Sequence, residues 1–213
     1  MVDRRSKGLA ARLTGPVGAV STLVCAIVFA GGCAAPRPHD SERRLARRLA
    51  EPATREAAIQ ELTGAGQTHT AVLMSWTRNP PSGVDRHRLY AGMAVAFGLM
   101  RTREAIPFLI NNIALESDPV GMAPWLKDAG TIERTFPCIA ALIQMGPDAS
   151  REAIRAAEGQ LSPEQRLAAI FVVSRVKNVP EAKAFLSSVI GDANQMRHWA
   201  EDGLHAIGDQ QQH

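Results

Sequence analysis

The sequence predicts an all-α protein whose body is a superhelix of stacked helix pairs. Aromatic residues make up only 5% of the 213 residues and apolar residues 46%, a composition that suits close-packed helices better than a β-sandwich. Arginines open similar helical phrases at intervals of 33, 46, 32 and 31 residues, and repeats of 20 to 50 residues are typical of helical arrays. We therefore expect about five helix pairs, preceded by an N-terminal signal segment.

The first 32 residues are typical of a bacterial export signal. Four basic residues lie within positions 4–12, no charged side chain occurs from Leu13 to Pro36, and the apolar centre covers residues 20–29. A basic start followed by an apolar run of this length is the order that directs a chain across the membrane. We therefore leave residues 1–32 out of the fold and expect the body to be extracytoplasmic.

A short motif ending at a cysteine follows the apolar run. Residues 30–34, Ala-Gly-Gly-Cys-Ala, resemble the lipobox of bacterial lipoproteins. The resemblance implies that Cys33 carries a diacylglyceryl group, that the chain is cut before it, and that the new amino terminus is acylated, as with palmitate. Ala30 departs from the family pattern, which usually has Leu or another branched aliphatic residue there. An uncleaved anchor helix and a cleaved soluble signal are the alternatives.

The segment after this cysteine leads into the body. Residues 33–41 are predicted to be a tether, and residues 42–213 to be the α-helical domain. The domain opens with a helical pattern over residues 42–50, where Leu45 and Leu49 are one turn apart and four arginines surround them. These arginines either contact anionic lipid headgroups or form the solvated face of a capping helix, and the narrow apolar side favours the second.

The charge distribution gives no support to a nucleic-acid partner. The formal charge of +3 comes from residues 1–32, which hold four basic residues and one acidic residue. Residues 33–213 therefore hold 20 basic and 20 acidic residues. Because a formally neutral body has no field to follow a phosphate backbone, we predict that the protein binds no nucleic acid.

The body repeats one helical phrase five times. Each phrase opens with an arginine, has a compact residue three positions later, and has an apolar residue seven positions later. The arginines are Arg55, Arg88, Arg134, Arg166 and Arg197; the compact residues are Ala58, Ala91, Pro137, Ala169 and Ala200; the apolar residues are Leu62, Val95, Ala141, Val173 and Leu204. Offsets of three and seven lie on one helical face, so we expect both residues to face the core.

Helix ends and partner helices complete the phrases. The predicted C-terminal stops are Gly64, Gly146, Asn178 and Gly208, and the predicted second helices cover residues 70–76, 103–110, 149–154 and 181–186. Ser162, with proline next and Gln165 three residues later, predicts a capped helix start. Pro137 lies inside its predicted helix and should kink it.

Three segments carry the repeat pattern most clearly, at residues 166–170, 180–186 and 197–208. They resemble HEAT repeats of the bacterial, phycobilisome-lyase-like type. The resemblance covers about residues 53–208 and implies an armadillo-type α-solenoid of antiparallel helix pairs. It specifies a fold and not an activity.

The longest interval between arginines contains an insertion at residues 115–128. Insertions in repeat proteins lie in loops on one face and often bind partners. Met122 and Trp125 are therefore the candidate binding residues. The alternative is an extra helical turn folded over the core.

No catalytic, nucleotide-binding or paired-cysteine motif occurs in the sequence, so we predict a non-enzymatic protein without a cofactor. Of the three cysteines, Cys25 lies in the signal and Cys33 would carry the lipid. Cys138 is then unpaired, and its place on an apolar helical stripe predicts that it is buried.

One constellation of possible metal ligands remains on the last predicted helix. His198, Asp202 and His205 share a face, and imidazole with carboxylate suits zinc. Counted from Ala200 and Leu204, however, that face points away from the core, which favours a solvated surface.

These observations predict a membrane-anchored, non-catalytic scaffold of the cell envelope. Its membrane contact would be the lipid at Cys33, and its partner an unidentified protein or peptide. The alternative is a metal-binding or enzymatic envelope protein that uses the cluster of His198, Asp202 and His205.

Overall fold

The structure is a computed structural model that describes residues 38–65, 67–117, 128–159, 161–190 and 194–210. Within these ranges the chain forms eleven α-helices and a 3-10 helix, without a strand. The α-helices are α1 (Pro38–Ala50), α2 (Pro52–Ala65), α3 (Gln67–Arg78), α4 (Arg86–Met100), α5 (Ile106–Asn111), α6 (Ala129–Thr135), α7 (Pro137–Met145), α8 (Pro147–Glu158), α9 (Pro163–Arg175), α10 (Pro180–Val189) and α11 (Asn194–Gln210); the 3-10 helix is Arg103–Ala105. The predicted all-α class is confirmed.

Proline begins six of these helices, namely α1, α2, α7, α8, α9 and α10. The first helical position suits proline because its missing N–H has no intrahelical partner there in any case. Helix α9 also has the predicted capping box. The backbone N–H of Gln165 donates to Ser162 Oγ at 3.2 Å, and the Ser162 N–H donates to Gln165 Oε1 at 3.1 Å.

The helices pack in two layers, as an α-α superhelix requires. In the first layer α1 contacts α4, α4 contacts α7, α7 contacts α9, and α9 contacts α11. In the second layer α5 contacts α8, and α8 contacts α10. Each layer therefore grows by packing one helix against the next, which is how repeat proteins build a continuous core.

The core contains the residues that the repeat pattern placed there. All five compact residues, three positions after the arginines, are buried. Of the residues seven positions after, Leu62, Ala141 and Val173 are buried, while Val95 and Leu204 are half-buried. None of the five arginines is buried, so the offsets correctly separated the core face from the outer face.

Small residues bring the helices of the first layer close together. A Cβ atom on Gly92 of α4 would lie 2.5 Å from the carbonyl oxygen of Leu49 in α1. A Cβ atom on Gly203 of α11 would lie 2.7 Å from the Cβ atom of Ser174 in α9. Larger residues at these two positions would force the helices apart.

The predicted kink at Pro137 is wrong, because the helix ends instead. Helix α6 ends at Thr135, Phe136 has φ −113° and ψ 89°, and α7 begins at Pro137. A proline disfavours the helical conformation for the residue before it and lacks the N–H that would continue the helix. Two short helices replace the one that the repeat pattern predicted.

Some predicted helix stops are also corrected. Gly64 and Gly208 lie within α2 and α11, because a glycine near a helix end is tolerated as well as used as a cap. Gly146, with φ 77°, does separate α7 from α8, and Asn178, with φ 62°, lies three residues beyond the end of α9. Residues 38–41, predicted as tether, form the first turn of α1.

The four predicted second helices correspond to α3, to the 3-10 helix with α5, to α8 and to α10. None of the described helices has the length and hydropathy needed to span a membrane.

Candidate functional site

Several predicted site residues lie outside the described residues. The lipidation candidate Cys33 and the binding candidates Met122 and Trp125 are among them. At the edges of the insertion, the Ser117 N–H donates to the carbonyl oxygen of Thr135 at 2.7 Å. Asp128 caps α6 by accepting from the Thr131 N–H at 2.9 Å. The insertion thus leaves and re-enters the fold beside α6.

A cleft between the second-layer helices α5 and α8 is an apolar candidate site within the described residues. Its volume is about 340 Å³. The walls are apolar and the rim is polar; the lining residues are Ile106, Pro107, Ile110, Asn111, Glu152, Arg155 and Ala156. A concave apolar surface with a few polar groups at its edge is the usual form of a binding pocket.

The rim of this cleft is held in place by polar contacts. Arg155 forms an ion pair with Glu152 on α8, and Gln165 Nε2 donates to the carbonyl oxygen of Asn111 at 3.3 Å. The side of Ile106 and Ile110 away from the cleft packs into the core, since both side chains are more than nine-tenths buried. The cleft is therefore a preformed feature of the helix packing.

Ion pairs tie the second layer together beside the cleft. Asp148 Oδ2 lies 2.9 Å from Arg103 Nη2, and Asp148 Oδ1 lies 3.0 Å from Arg151 Nη1. Arg151 Nε lies 3.7 Å from Glu181 Oε1 on α10. These partly exposed pairs fix the register of successive second-layer helices more than they add stability.

A second, charged groove lies where the end of α1 meets the beginning of α4. Its volume is about 400 Å³, and its lining residues are Arg47, Arg48, Ala50, Glu51, Thr54, Gly83, Val84, Asp85 and Arg88. Asp85 caps α4 by accepting from the Arg88 N–H at 3.0 Å, and this hydrogen bond lowers the pKa of the Asp85 carboxyl. Arg48 Nη1 pairs with Glu61 Oε2 at 2.5 Å.

The outer side of α1 is rich in exposed arginines. Arg43, Arg44 and Arg47 are exposed, and none of them forms an ion pair within the part of the chain that the structure describes. Arg43 Nη2 donates only a long hydrogen bond of 3.4 Å to Ser82 Oγ. The opposite side of the helix is buried through Leu45 and Leu49.

The predicted histidine cluster contains one contact. His198 Nε2 lies 3.9 Å from Asp202 Oδ2, and the His198 ring centroid lies 4.8 Å from that of Trp199. His198, Asp202 and His205 are all exposed. Nowhere in the described ranges do three histidine, cysteine, aspartate or glutamate side chains converge as metal ligands would.

Cys138 lies in the core, as the sequence predicted. Its side chain is fully buried on α7, and burial raises the pKa of the thiol. A thiol that stays protonated is neither a nucleophile nor a metal ligand. Cys138 therefore acts as a small apolar core residue.

The five repeated arginines have different roles, which the repeat pattern did not reveal. Arg55 Nε donates to the carbonyl oxygen of Leu49 at 3.1 Å and so caps the end of α1. Arg197 Nε pairs with Glu201 Oε1 at 2.8 Å within α11, and this hydrogen bond raises the pKa of the guanidinium. The repeat thus places a polar residue on the outer face each time, but the contact that this residue makes differs from one repeat to the next.

Sequence reasoning also missed the α5–α8 cleft. The signal available was the run Ile106-Pro107-Phe108-Leu109-Ile110, which is too apolar for a helix with one buried face.

Comparison with protein-family models, curated proteins and solved structures found no match to this chain.

Proposed function

We propose that the protein is a membrane-anchored, non-catalytic scaffold of the cell envelope that holds a protein or peptide on its stack of helices. In this proposal the two-layered body is a HEAT-like solenoid and Cys33 carries the lipid anchor. The basic start, apolar run and small residues before Cys33 support the anchor. The succession of packed helices supports the repeat interpretation.

The apolar cleft between α5 and α8 is the observation that carries the scaffold role. Its walls are formed by Ile106, Pro107, Ile110 and Ala156, and its polar rim would fix the orientation of a bound segment. Solenoid proteins bind partners through surfaces shared by adjacent repeats. The cleft lies between adjacent second-layer helices and is therefore placed for this kind of binding.

The insertion at residues 115–128 is the second part of the proposed binding surface. Asn111 lines the cleft, and only three residues separate it from the start of the insertion. We therefore include Met122 and Trp125, which follow the cleft wall along the chain, in the proposed partner surface. Aromatic and methionine side chains are frequent at the centres of protein interfaces.

The test is site-specific crosslinking in intact cells. A photoreactive phenylalanine at Asn111, which is exposed at the cleft, should capture one defined partner. Ala156→Glu, which places a charge in the apolar wall, should reduce that capture by about tenfold or more because an unpaired charge would be buried on binding. The matched control Ala184→Glu, on the exposed side of α10, should leave capture unchanged.

The outcomes separate binding at the cleft from nonspecific capture. Equal loss in the Ala184→Glu and Ala156→Glu variants, or capture unaffected by either, would contradict binding at the cleft. The alternative, a metal-dependent protein, rests on the single His198–Asp202 contact. It would replace the scaffold proposal if a purified full chain bound zinc stoichiometrically and His198→Ala/His205→Ala abolished the binding.

A further inference from the structure

The exposed side of α1 carries three arginines that form no ion pair within the described residues. Arg43, Arg44 and Arg47 make up this surface, here called the arginine face. Leu45 and Leu49 anchor the other side of the helix in the core. The helix therefore has a fixed orientation, and the three guanidinium groups project from the protein together.

Other arginines in this region already have intramolecular roles. Arg48 is paired with Glu61, and Arg55 caps the end of α1 by donating to Leu49 and Ala50. Among the described residues, the arginine face makes no comparable contact beyond the long hydrogen bond from Arg43 to Ser82. Because the fold makes little use of the positive charge of the arginine face, this face is available to bind an external anion.

Charge is unevenly distributed along the body. Residues 38–90 hold eight arginines against six acidic residues, whereas residues 91–213 hold eleven basic residues against fourteen acidic ones. The basic part is thus the part nearest in sequence to Cys33. The acidic remainder would be repelled by an anionic surface, so the charge asymmetry favours one orientation of the body.

The length of chain before α1 limits how far this helix can be from the proposed anchor. Only residues 34–37 separate Cys33 from Pro38. Five residue steps at about 3.6 Å each span at most about 18 Å. A lipid on Cys33 would therefore hold the start of α1 within about 18 Å of the headgroups, so that the arginine face can come within the Debye length, about 8–10 Å, over which the headgroups attract cations.

We propose that the arginine face docks on the anionic lipid headgroups of the membrane to which Cys33 is anchored. Guanidinium groups bind phosphate through paired, charge-assisted hydrogen bonds. Docking at α1 would give the body a defined orientation on the membrane and leave the α5–α8 cleft free for a partner. This inference rests on the lipid anchor in the proposed function.

The test measures arginine accessibility in the full chain. The protein is purified from membranes and reconstituted in nanodiscs of phosphatidylcholine alone or with about one-third phosphatidylglycerol, and arginines are labelled with phenylglyoxal and quantified by mass spectrometry. Anionic lipid should slow labelling of Arg43, Arg44 and Arg47 by about fivefold. The exposed Arg101 and Arg134 should be labelled at the same rate in both discs, and high salt should remove the difference.

A matched pair of variants distinguishes docking from a general effect of charge. Hydrogen exchange of residues 42–50 should be slower in anionic than in neutral discs for the wild type and for Arg101→Gln/Arg134→Gln/Lys177→Gln. In Arg43→Gln/Arg44→Gln/Arg47→Gln the difference should disappear. Both triple variants lose three exposed positive charges, so an equal response of the two would overturn the proposal.

Mass spectrometry of the proteolytic peptides also separates failure of the anchor from failure of docking. Mass analysis of the peptide that begins at Cys33 shows whether it is acylated. An acylated protein with equal labelling in both discs keeps the anchor and overturns docking. A protein without acyl chains overturns the anchor, and with it the proposal that α1 docks on the membrane to which Cys33 is attached. Protection by a polyglutamate peptide, with none from anionic lipid, would also overturn docking and assign the arginine face to an acidic protein.

Discussion

A Cβ atom on Gly98 of α4 would lie 2.8 Å from the Cα atom of Ala141 in α7. The same Cβ atom on Gly98 would lie 2.9 Å from the side-chain oxygen Oε1 of Gln144. The backbones of α4 and α7 therefore touch at this point, and only a residue without a side chain fits. The contact fixes the distance between two consecutive helices of the first layer and so the geometry of the stack.

Gly98→Ala should destabilise the protein by about 1–3 kcal/mol, because one methyl group must be accommodated against a helix backbone. The free energy of unfolding in urea is the measurement. Gly64→Ala is the matched control, because no atom beyond its chain neighbours and the backbone of its own helix lies within 4 Å of its Cβ position. It should be neutral or stabilise by up to about 1 kcal/mol. Equal effects of the two substitutions would contradict close packing at Gly98.

Arg101 ends α4 in the left-handed conformation, with φ 50° and ψ 46°. A side chain other than glycine is strained there, so Arg101→Gly should raise the free energy of unfolding by about 1 kcal/mol. Asn178, with φ 62°, is the comparison, because asparagine tolerates this region and Asn178→Gly should gain less. Thermal unfolding of the two variants measures the difference, and a loss of stability in Arg101→Gly would refute the strain.

Ser150 is fully buried on α8, and its hydroxyl has no hydrogen-bond partner. Ser150→Ala removes this unsatisfied group and should stabilise the protein by about 1 kcal/mol. Ser174 is also buried, but its hydroxyl donates to the carbonyl oxygen of Phe171 at 2.8 Å. Ser174→Ala should therefore destabilise by about 1 kcal/mol. The two substitutions should change the free energy of unfolding in urea in opposite directions. Changes of the same sign would contradict the hydrogen bonding assigned to the two hydroxyl groups.

The sequence predicted the core face of the repeats well because that face depends on local periodicity. Ala58, Ala91, Ala169 and Ala200 are all buried as the three-residue offset requires. The Ser162 cap was equally predictable, since its hydrogen bonds join residues three apart. Features set by neighbouring residues in one helix were accessible in this way.

Features set by contacts between helices could not be predicted from the sequence. Nothing local to Gly98 indicates that it meets Ala141, 43 positions later, and the α5–α8 cleft is formed by residues more than 40 positions apart. Helix stops were uncertain for a related reason. Arg101 adopts a left-handed cap that its residue type disfavours, whereas Gly64 continues its helix, so packing decided both ends over intrinsic preference.

The two aspartate caps predict how stability depends on pH. Asp85 accepts from the Arg88 N–H, and Asp128 accepts from the Thr131 hydroxyl and N–H. These hydrogen bonds lower the pKa of both carboxyls in the folded protein. A lowered folded pKa means that each cap contributes stability above the unfolded pKa, near about 3.9, and loses it as pH falls through the lower folded value.

Asp85→Ala should therefore lower the melting temperature at pH 7, with the gap to the wild type constant down to about pH 5 and closing below about pH 4. Asp85→Asn is the informative control, because its amide oxygen accepts the same hydrogen bond without titrating. The Asn variant should then keep the cap at acid pH, where the protonated Asp85 of the wild type caps α4 less well. A gap between wild type and Asp85→Ala that persists unchanged at pH 2 would show that the charge of Asp85 does not stabilise the start of α4.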